Sequence, residues 1–261
     1  LILTGDLDPD KTIAMVDQYL GDWKAKKLPP FRYQNEDPRN EIEEISVKSP
    51  DEESVAIGFV MPDQNHPEAV LADLVSSILY NGKSGLIDKN LVKKQKVLDA
   101  YGFSYLLKDY GIMYMGGSPL QNQSLQSVRD LVLQQIADLK EGNFDEDLII
   151  ATINNLKVQR VREQENIMNM AFVINDLFAT DKSWEAHLRS IDRMSKITKT
   201  DVVNFAQKWF GNNYTVVYKL TGVDSTVQKV EKPTITPVEV NRESQSAFLK
   251  KIVETSNPPL T

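Results

Sequence analysis

The chain has 261 residues and a formal net charge of −7, from 30 Lys and Arg against 37 Asp and Glu. This acidic balance argues against a nucleic-acid-binding surface, which needs a basic stripe. The absence of cysteine excludes disulfide scaffolds, thiol nucleophiles and Cys-ligated zinc or iron–sulfur sites. No apolar run approaches the roughly 18–20 residues that a membrane-spanning helix needs.

The first thirty residues predict a short strand followed by a helix. Residues 1–4 form an apolar run typical of a buried strand. Asp8 can cap a helix whose first turn holds Pro9. An apolar stripe recurs at helical spacing and consists of Ile13, Val16, Leu20 and Trp23. The chain begins inside a strand-like run without a methionine, so we expect it to be a segment of a longer protein.

A polar, proline-containing stretch at 31–41 is predicted to be a linker, and strands and helices follow it. Strands are expected at 42–48, 54–61, 100–107 and 111–116, and helices at 67–80 and 86–94. In the first strand, Ile45 and Val47 alternate with polar neighbours, as on a half-buried sheet. The second strand is apolar on both faces, which predicts a central position.

The second half of the chain is predicted to be mainly helical. Helices are expected at 124–142, 145–162, 167–179, 184–194 and 201–210, followed by a strand at 214–220. The tail from Val223 contains four prolines and is predicted to be irregular. Strands adjacent in sequence favour antiparallel hairpins, and the later helices favour one covered face. The order therefore predicts an α+β fold, a two-layer sandwich of a mainly antiparallel sheet with helices packed on one face.

The residues alone offer no catalytic constellation. The two histidines, His66 and His187, match neither the His-Glu-x-x-His zinc motif nor its inverted form His-x-x-Glu-His. The stretch 82–85 resembles a serine-hydrolase elbow in composition but not in spacing, and a flexible connection between two helices is the better interpretation. The acidic runs are typical of solvated turns and helix caps.

Four segments together resemble the pitrilysin/insulysin-type zinc metallopeptidases, which include relatives of the mitochondrial processing peptidase. The first, 1–23, is similar to the closing strand and helix of a preceding domain of that family. The stretch 81–101 is similar to the family's helix, basic residue and Leu-x-Tyr strand. The stretch 124–144 is similar to its long helix with a Leu-Lys-x-Gly-x-Phe step, and 197–219 to its last helix and strand. The resemblance covers most of residues 1–222, and the order of the segments is its strongest part.

The resemblance implies repeated α+β domains of the processing-peptidase type, which pair into halves around a peptide chamber. In this family zinc is held in one domain by a His-x-x-Glu-His helix and a later Glu. The chain lacks that motif, so the resemblance implies an inactive, non-catalytic domain with no cofactor of its own and with zinc in a preceding catalytic domain. Residues 1–30 would then close the preceding domain, 31–222 would form the non-catalytic domain, and 223–261 would lead toward a following half.

The resemblance also implies two substrate-binding residues, Lys94 and Tyr101. The family commonly places an Arg and, seven positions later, a Tyr against the peptide, and Tyr101 stands seven positions after Lys94. Lysine departs from that pattern because it cannot make the planar two-donor contact of arginine. The alternative is a solvated Lys94 at a helix end and a Tyr101 that packs within the sheet.

Three functions remain open from the sequence. The first is a non-catalytic domain of a larger zinc metallopeptidase, which helps to form a peptide-binding chamber and is inactive alone. Its partners would be the catalytic domain of the same polypeptide and a peptide, with an envelope or periplasmic location implied by the resemblance only. The second is a structural or assembly module with the peptidase fold, as in some respiratory-complex core proteins. The third is a small-ligand-binding domain.

Overall fold

The computed structural model describes residues 1–30, 33, 40–224, 226, 234, 236 and 244–254. The chain forms two compact units, Leu1–Asp224 and Ser225–Thr261. Most of the predicted linker at 31–41 and much of the tail after Val223 lie outside the described residues. Within the described part, no helix is both long and apolar enough to cross a membrane.

Apart from the strand predicted at 1–4, the predicted strands and most of the predicted helices of the first unit are confirmed within a few residues. The strands are β1 (Glu43–Ser49), β2 (Ser54–Met61), β3 (Asp99–Leu106), β4 (Gly111–Ser118) and β5 (Tyr214–Thr221). The helices are α1 (Pro9–Leu20), α2 (Ala69–Leu79), α3 (Leu125–Glu141), α4 (Asp147–Gln164), α5 (Ile167–Ala179), α6 (Trp184–Leu188), α7 (Ser190–Met194) and α8 (Lys199–Trp209). A single π-helical turn, Asp88–Val92, lies within the short helix predicted at 86–94.

The five strands form one mixed sheet in the order β1-β5-β2-β4-β3. Only the β1–β5 pair is parallel, so the prediction of a mainly antiparallel sheet is confirmed. The central position predicted for β2 is also confirmed, but the expected pairing of β1 with its sequence neighbour β2 is wrong. The last strand, β5, lies between them. An edge position keeps the charged side chains of β1, such as Glu43 and Lys48, in contact with water.

Helices cover one face of this sheet. The inward side chains of β2 and β4 are buried against α3, and α8 also packs on β2, while α2 packs on β3. Phe59 of β2 meets Phe210, which follows α8, edge-on at 5.0 Å between ring centroids. Capping residues close two of these helices: Thr198 and Asp201 form a capping box at α8, and Gly142 closes α3 in the left-handed region at φ 73°. This layer is the main hydrophobic core.

The opposite face, here called the open face, carries exposed apolar side chains. Ile45 and Val47 lie there, beside Val217 and Lys219 of β5, and are 39% and 42% exposed. The prediction that one side of β1 is buried is therefore wrong, because the apolar side of this strand does not face the helices. Six large side chains on this face are at least 39% exposed: Ile45, Val47, Val60, Phe103, Tyr105 and Ile112.

Both ends of the chain differ from expectation. Residues 1–4 form no strand, since no described strand pairs with them, although the Thr4 hydroxyl donates to the Ile167 carbonyl at 3.1 Å. The helix α1 begins as predicted, with Asp8 accepting from the Lys11 N–H at 3.2 Å, but none of its residues is buried. In the second unit the tail predicted to be irregular contains a helix, α9 (Ala247–Glu254). Its apolar residues recur at helical spacing, a signal that the nearby prolines obscured.

Candidate functional site

The predicted site residue Tyr101 lies on β3 and points to the open face of the sheet. In the register with β4, Tyr101 stands opposite Gly116, and Phe103 stands opposite Tyr114. Burial alternates along β3, with Ala100 and Gly102 buried on the helix side. Side chains two residues apart on a strand share a face, so the aromatic residues of β3 form a row beside those of β4.

Three of these rings form an aromatic cluster, defined as Tyr101, Phe103 and Tyr114. The Tyr101 and Tyr114 rings stack with centroids 5.7 Å apart at 24°, and the Phe103 and Tyr114 centroids are 5.3 Å apart. These separations fall in the range of favourable ring pairs. The Tyr101 hydroxyl donates to the Tyr114 hydroxyl at 3.5 Å, a long and weak hydrogen bond. The cluster therefore holds Tyr101 mainly by ring packing.

Gly116 makes room for the Tyr101 ring. A Cβ at this position would lie 2.7 Å from the Tyr101 hydroxyl and 2.3 Å from the Val55 carbonyl oxygen. Both distances are shorter than real Cβ atoms allow. Glycine is therefore needed here for the close approach of the phenol and of the neighbouring strand, not for a turn.

The Tyr101 phenol is held in its protonated form. Burial raises the pKa of Tyr101, and the hydrogen bond with Tyr114 raises it further. The hydroxyl is consequently uncharged across the neutral range, where it can donate a hydrogen bond to a carbonyl oxygen. A peptide main chain offers such carbonyls at regular intervals.

The second predicted site residue, Lys94, has a different hydrogen-bond partner from the residues of the aromatic cluster. It follows the π-helical turn and is exposed, and its Nζ donates to the Asn90 Oδ1 at 3.4 Å. Lys94 and Tyr101 thus contact different partners. An exposed Lys94 and a packed Tyr101 fit the alternative interpretation of both positions, so their substrate-binding role stays a prediction.

The two histidines are held by protein groups. The His66 Nδ1 accepts the Glu68 backbone N–H at 3.1 Å, and its ring meets Trp209 edge-on. The His187 Nε2 lies 3.2 Å from the Arg160 guanidinium. Burial and the charges of Arg160 and Lys182 lower the pKa of His187 to about 4. Among the described residues, no three His, Cys, Asp or Glu side chains come together as a metal site.

Sequence reasoning missed Phe103, Tyr114 and Gly116. One signal was present, because Tyr101, Phe103 and Tyr105 alternate along a predicted strand. Their contacts with β4 depend on the strand register, which the alternation does not specify.

Comparison with known proteins gives sequence and structural relatives. The chain is 23% identical over 187 residues to the zinc protease PqqE of Helicobacter pylori, covering 69% of this chain and 40% of that protein. A crystal structure of a protease from Helicobacter pylori matches with a TM-score of 0.76 and 20% identity, covering 83% of this chain and 54% of that one. The peptidase M16 inactive domain from Pseudomonas fluorescens matches with a TM-score of 0.70 and 14% identity, covering 84% and 53%.

Two further solved structures share the fold. The periplasmic protease PqqL of Escherichia coli matches with a TM-score of 0.65 and 14% identity, covering 83% of this chain and 26% of that one. A chain of complex III from Candida albicans matches with a TM-score of 0.68 and 14% identity, covering 82% and 53%. At these identities the structural matches establish the fold.

The family comparison matches residues 1–156 to the peptidase M16 inactive domain. The chain spans 40% of its curated relative and about half of the two most similar structures described above. The match covers more than half of the 261 residues, and the sheet with helices on one face agrees with the solved relatives. The chain belongs to the peptidase M16 inactive-domain family, which confirms the resemblance to the pitrilysin-type zinc metallopeptidases.

Proposed function

We propose that the chain is a non-catalytic part of a larger zinc-dependent metallopeptidase and that its open face forms part of a peptide-binding chamber. The observation that carries this proposal is the uncovered sheet face with an aromatic cluster on its β3–β4 side, in a chain of the inactive-domain family. A sheet face rich in apolar side chains is normally packed against a second layer, so its exposure favours a binding role.

The chemistry of the open face suits a peptide. The rings of the aromatic cluster offer apolar area to side chains, and the protonated Tyr101 hydroxyl can donate to a main-chain carbonyl. Lys94, in this proposal, attracts a peptide carbonyl or carboxylate as a point charge, without the geometric selectivity of arginine. Neither residue performs chemistry, and both act by holding the peptide.

The catalytic chemistry in this proposal belongs to a zinc-bearing domain of the same polypeptide. The curated relative is a zinc protease of which this chain spans 40%, which supports a larger parent protein. A location in the bacterial envelope is part of the proposal and is supported by the likeness to a periplasmic protease.

The test compares the chain alone with the polypeptide that contains it and its catalytic domain. We expect no peptide hydrolysis and no stoichiometric zinc from the chain alone. In the larger protein, Tyr101→Phe should raise KM for peptide while leaving kcat nearly unchanged, since it removes a binding contact. Tyr19→Phe is the matched control, because Tyr19 is exposed on helix α1 and does not belong to the open face. Zinc-dependent hydrolysis by the chain alone would overturn the proposal.

A second candidate is a structural or assembly module with the peptidase fold. The likeness to a chain of complex III favours it, because that protein shares the fold over 82% of this chain. The sequence of the parent gene separates the two candidates. A His-x-x-Glu-His motif upstream of residue 1 supports the peptidase, and its absence there and elsewhere in the protein supports the assembly module.

A further inference from the structure

A cavity of about 440 Å³ lies on the helix side of the sheet, between β3 and the helices α4, α5 and α7. It is here called the charged cavity, because two acids and two bases line it: Asp73, Arg160, Asp176 and Lys182. Its volume falls within the roughly 300–1,000 Å³ of small-molecule sites. All its lining residues belong to the first unit, and none belongs to the aromatic cluster.

Three oxygen acceptors line one part of the charged cavity, and together they are called the acceptor group. The Asp176 carboxylate accepts from the Gln64 amide at 3.3 Å, which places the Gln64 side-chain oxygen close to that carboxylate. The charge of Asp176 also acts on Asp73, so the two carboxylates lie near each other. Within the described part of the chain, neither carboxylate forms an ion pair.

The acceptor group is not satisfied by the protein. Gln64 is 9% exposed, and its side-chain oxygen makes no hydrogen bond with any described residue. Burial raises the pKa of Asp73 and outweighs the opposing effects of Lys182 and of the Ser104 hydroxyl, which donates to Asp73 at 3.1 Å. A primary ammonium group carries three N–H donors and a positive charge, so it would satisfy all three acceptors.

Two bases line another part of the cavity and form what is here called the cation pair, Arg160 and Lys182. The Lys182 ammonium makes no hydrogen bond or ion pair with a residue that the structure describes. Arg160 contacts only neutral acceptors there, the carbonyl and ring of His187 and the Ser190 hydroxyl. These three contacts leave two of the five guanidinium N–H donors for another oxygen.

The cation pair is arranged around one histidine ring. The charges of both Arg160 and Lys182 act on His187, whose pKa burial and these charges lower to about 4. His187 is therefore neutral at pH 7 and adds no third positive charge. A carboxylate between the two cations would gain charge-assisted hydrogen bonds from both.

The rest of the lining is largely apolar. Leu177 of α5 and Met194 of α7 are 7% and 5% exposed, and these two residues are called the apolar floor. Leu106 and Phe172 also line the cavity, and Phe172 is 65% exposed, nearer the surface. Apolar walls with a few polar groups are typical of small-molecule sites, in which the polar groups fix the ligand's orientation.

The charges of the cavity favour a ligand that carries both signs. The acceptor group and the cation pair belong to one cavity, yet no described acid and base among them form an ion pair. A simple cation or anion would satisfy one of these groups and leave the other without a partner. A zwitterion satisfies both, and a small apolar substituent would cover the floor.

We propose that the charged cavity binds a free α-amino acid with an apolar side chain. The ammonium group donates to the acceptor group, the carboxylate contacts the cation pair, and the side chain packs on the apolar floor. The protein performs no chemistry on this ligand. The proposal does not depend on the peptide chamber, because the cavity and the aromatic cluster share no residue.

The first test measures binding to the intact chain by isothermal titration calorimetry. The probe is L-leucine, and its analogues are leucinamide, which lacks the carboxylate, and 4-methylpentanoate, which lacks the ammonium group. We expect saturable binding of one L-leucine per chain and at least tenfold weaker binding of each analogue, roughly the value of one charged hydrogen-bonding group. No saturable binding of L-leucine up to about 10 mM, or equal binding of either analogue, would overturn the proposal.

The second test assigns each charge of the ligand to its partner. Lys182→Gln should weaken binding of L-leucine roughly tenfold and leave that of leucinamide unchanged, because leucinamide has no carboxylate. Asp176→Asn should likewise weaken L-leucine and leave 4-methylpentanoate unchanged. The matched controls are Lys196→Gln and Asp192→Asn, at exposed positions outside the cavity.

Both cavity variants change side chains that retain exposure, so we expect urea midpoints close to that of the parent chain. An equal loss of affinity for L-leucine and leucinamide in Lys182→Gln would contradict the assigned carboxylate contact. A loss in the controls as large as in the cavity variants would show general charge effects and would overturn the site.

Nuclear magnetic resonance of methionine methyl groups locates the ligand. L-leucine should shift the methyl resonance of Met194, which lines the cavity, and leave that of Met15, which is exposed on α1, unchanged. The Met194→Leu variant identifies the resonance. Binding without a shift of Met194, or with an equal shift of Met15, would contradict the assignment. These readouts involve no hydrolysis, so they fail or succeed independently of the peptidase proposal.

Discussion

The two faces of the sheet differ in what their apolar side chains contact. On the covered face, Val55, Ile57 and Phe59 of β2 are at most 2% exposed beneath the helices. On the open face, Val60 of the same strand is 42% exposed, and Phe103 of β3 is 49% exposed. One strand thus supplies both a core and a surface, because successive side chains point to opposite sides.

This difference separates stability from binding. The covered face gains the free energy of burying apolar area when the chain folds. The apolar side chains of the open face stay exposed among the described residues. Burying them therefore provides free energy for binding and not for folding of this unit. Substitutions on the two faces should therefore have different signatures, and they provide direct tests of the comparison.

The largest effect is expected for Ile57→Ala on the covered face. Ile57 is fully buried in the core, so the substitution removes buried methylenes and leaves a cavity. We expect a loss of about 2–5 kcal/mol in the free energy of unfolding, measured by urea denaturation. Val60→Ala on the open face is the control and should cost less than about 1 kcal/mol. A similar loss for both variants would show that the open face is covered in solution.

The sequence predicted the covered face better than the open one. The unbroken apolar run of β2 indicated a central strand, and β2 does lie between β5 and β4. Burial on both faces, which such a run also suggests, is not found, because Val60 on the open face is 42% exposed. The alternation of Ile45 and Val47 indicated that β1 has one apolar face, but alternation cannot tell whether helices cover that face. The insertion of β5 between β1 and β2 depends on pairing over about 170 positions, which local pattern does not encode.

The site was predictable only in part for a related reason. Tyr101 was identified through the spacing that the family resemblance supplied. Its contacts with Tyr114 and Gly116 follow from the β3–β4 register, which sequence alternation leaves open.

A smaller loss is expected for Gly116→Ala beneath the aromatic cluster. The new Cβ would lie 2.3 Å from the Val55 carbonyl, so the backbone must shift and the Tyr101 ring must move. We expect a loss of about 1–3 kcal/mol, together with a change in the near-ultraviolet circular dichroism of the tyrosines. Gly222→Ala is the control, since its Cβ would meet Lys48 at 3.6 Å, an ordinary contact. An unchanged spectrum in Gly116→Ala would contradict the close packing of Tyr101.

A difference in acid sensitivity should distinguish the helix layer from the open face. The pKa of His187 is lowered from 6.5 to about 4, by burial first and then by the charges of Arg160 and Lys182, against an opposing effect of Asp176. Between these pKa values the unfolded chain binds a proton that the folded chain does not, so stability falls as the pH falls through this window. His187→Gln should flatten the dependence of the urea midpoint on pH between 7 and 4. Parallel curves for the two proteins would contradict a half-buried, neutral His187.

The smallest effect on stability is expected for Tyr101→Phe. The variant keeps the ring stacking and removes only a hydroxyl whose hydrogen bond to Tyr114 is 3.5 Å long, so we expect a change below about 1 kcal/mol in urea denaturation. Tyr101→Ala, which also removes the ring, should cost more because it deletes both stacking contacts of that residue. A large loss in Tyr101→Phe would mean that the hydroxyl holds the fold, and the open face would then be structural. A near-neutral Tyr101→Phe leaves the hydroxyl free for a peptide carbonyl, because a group that contributes little to folding can change partners at little cost.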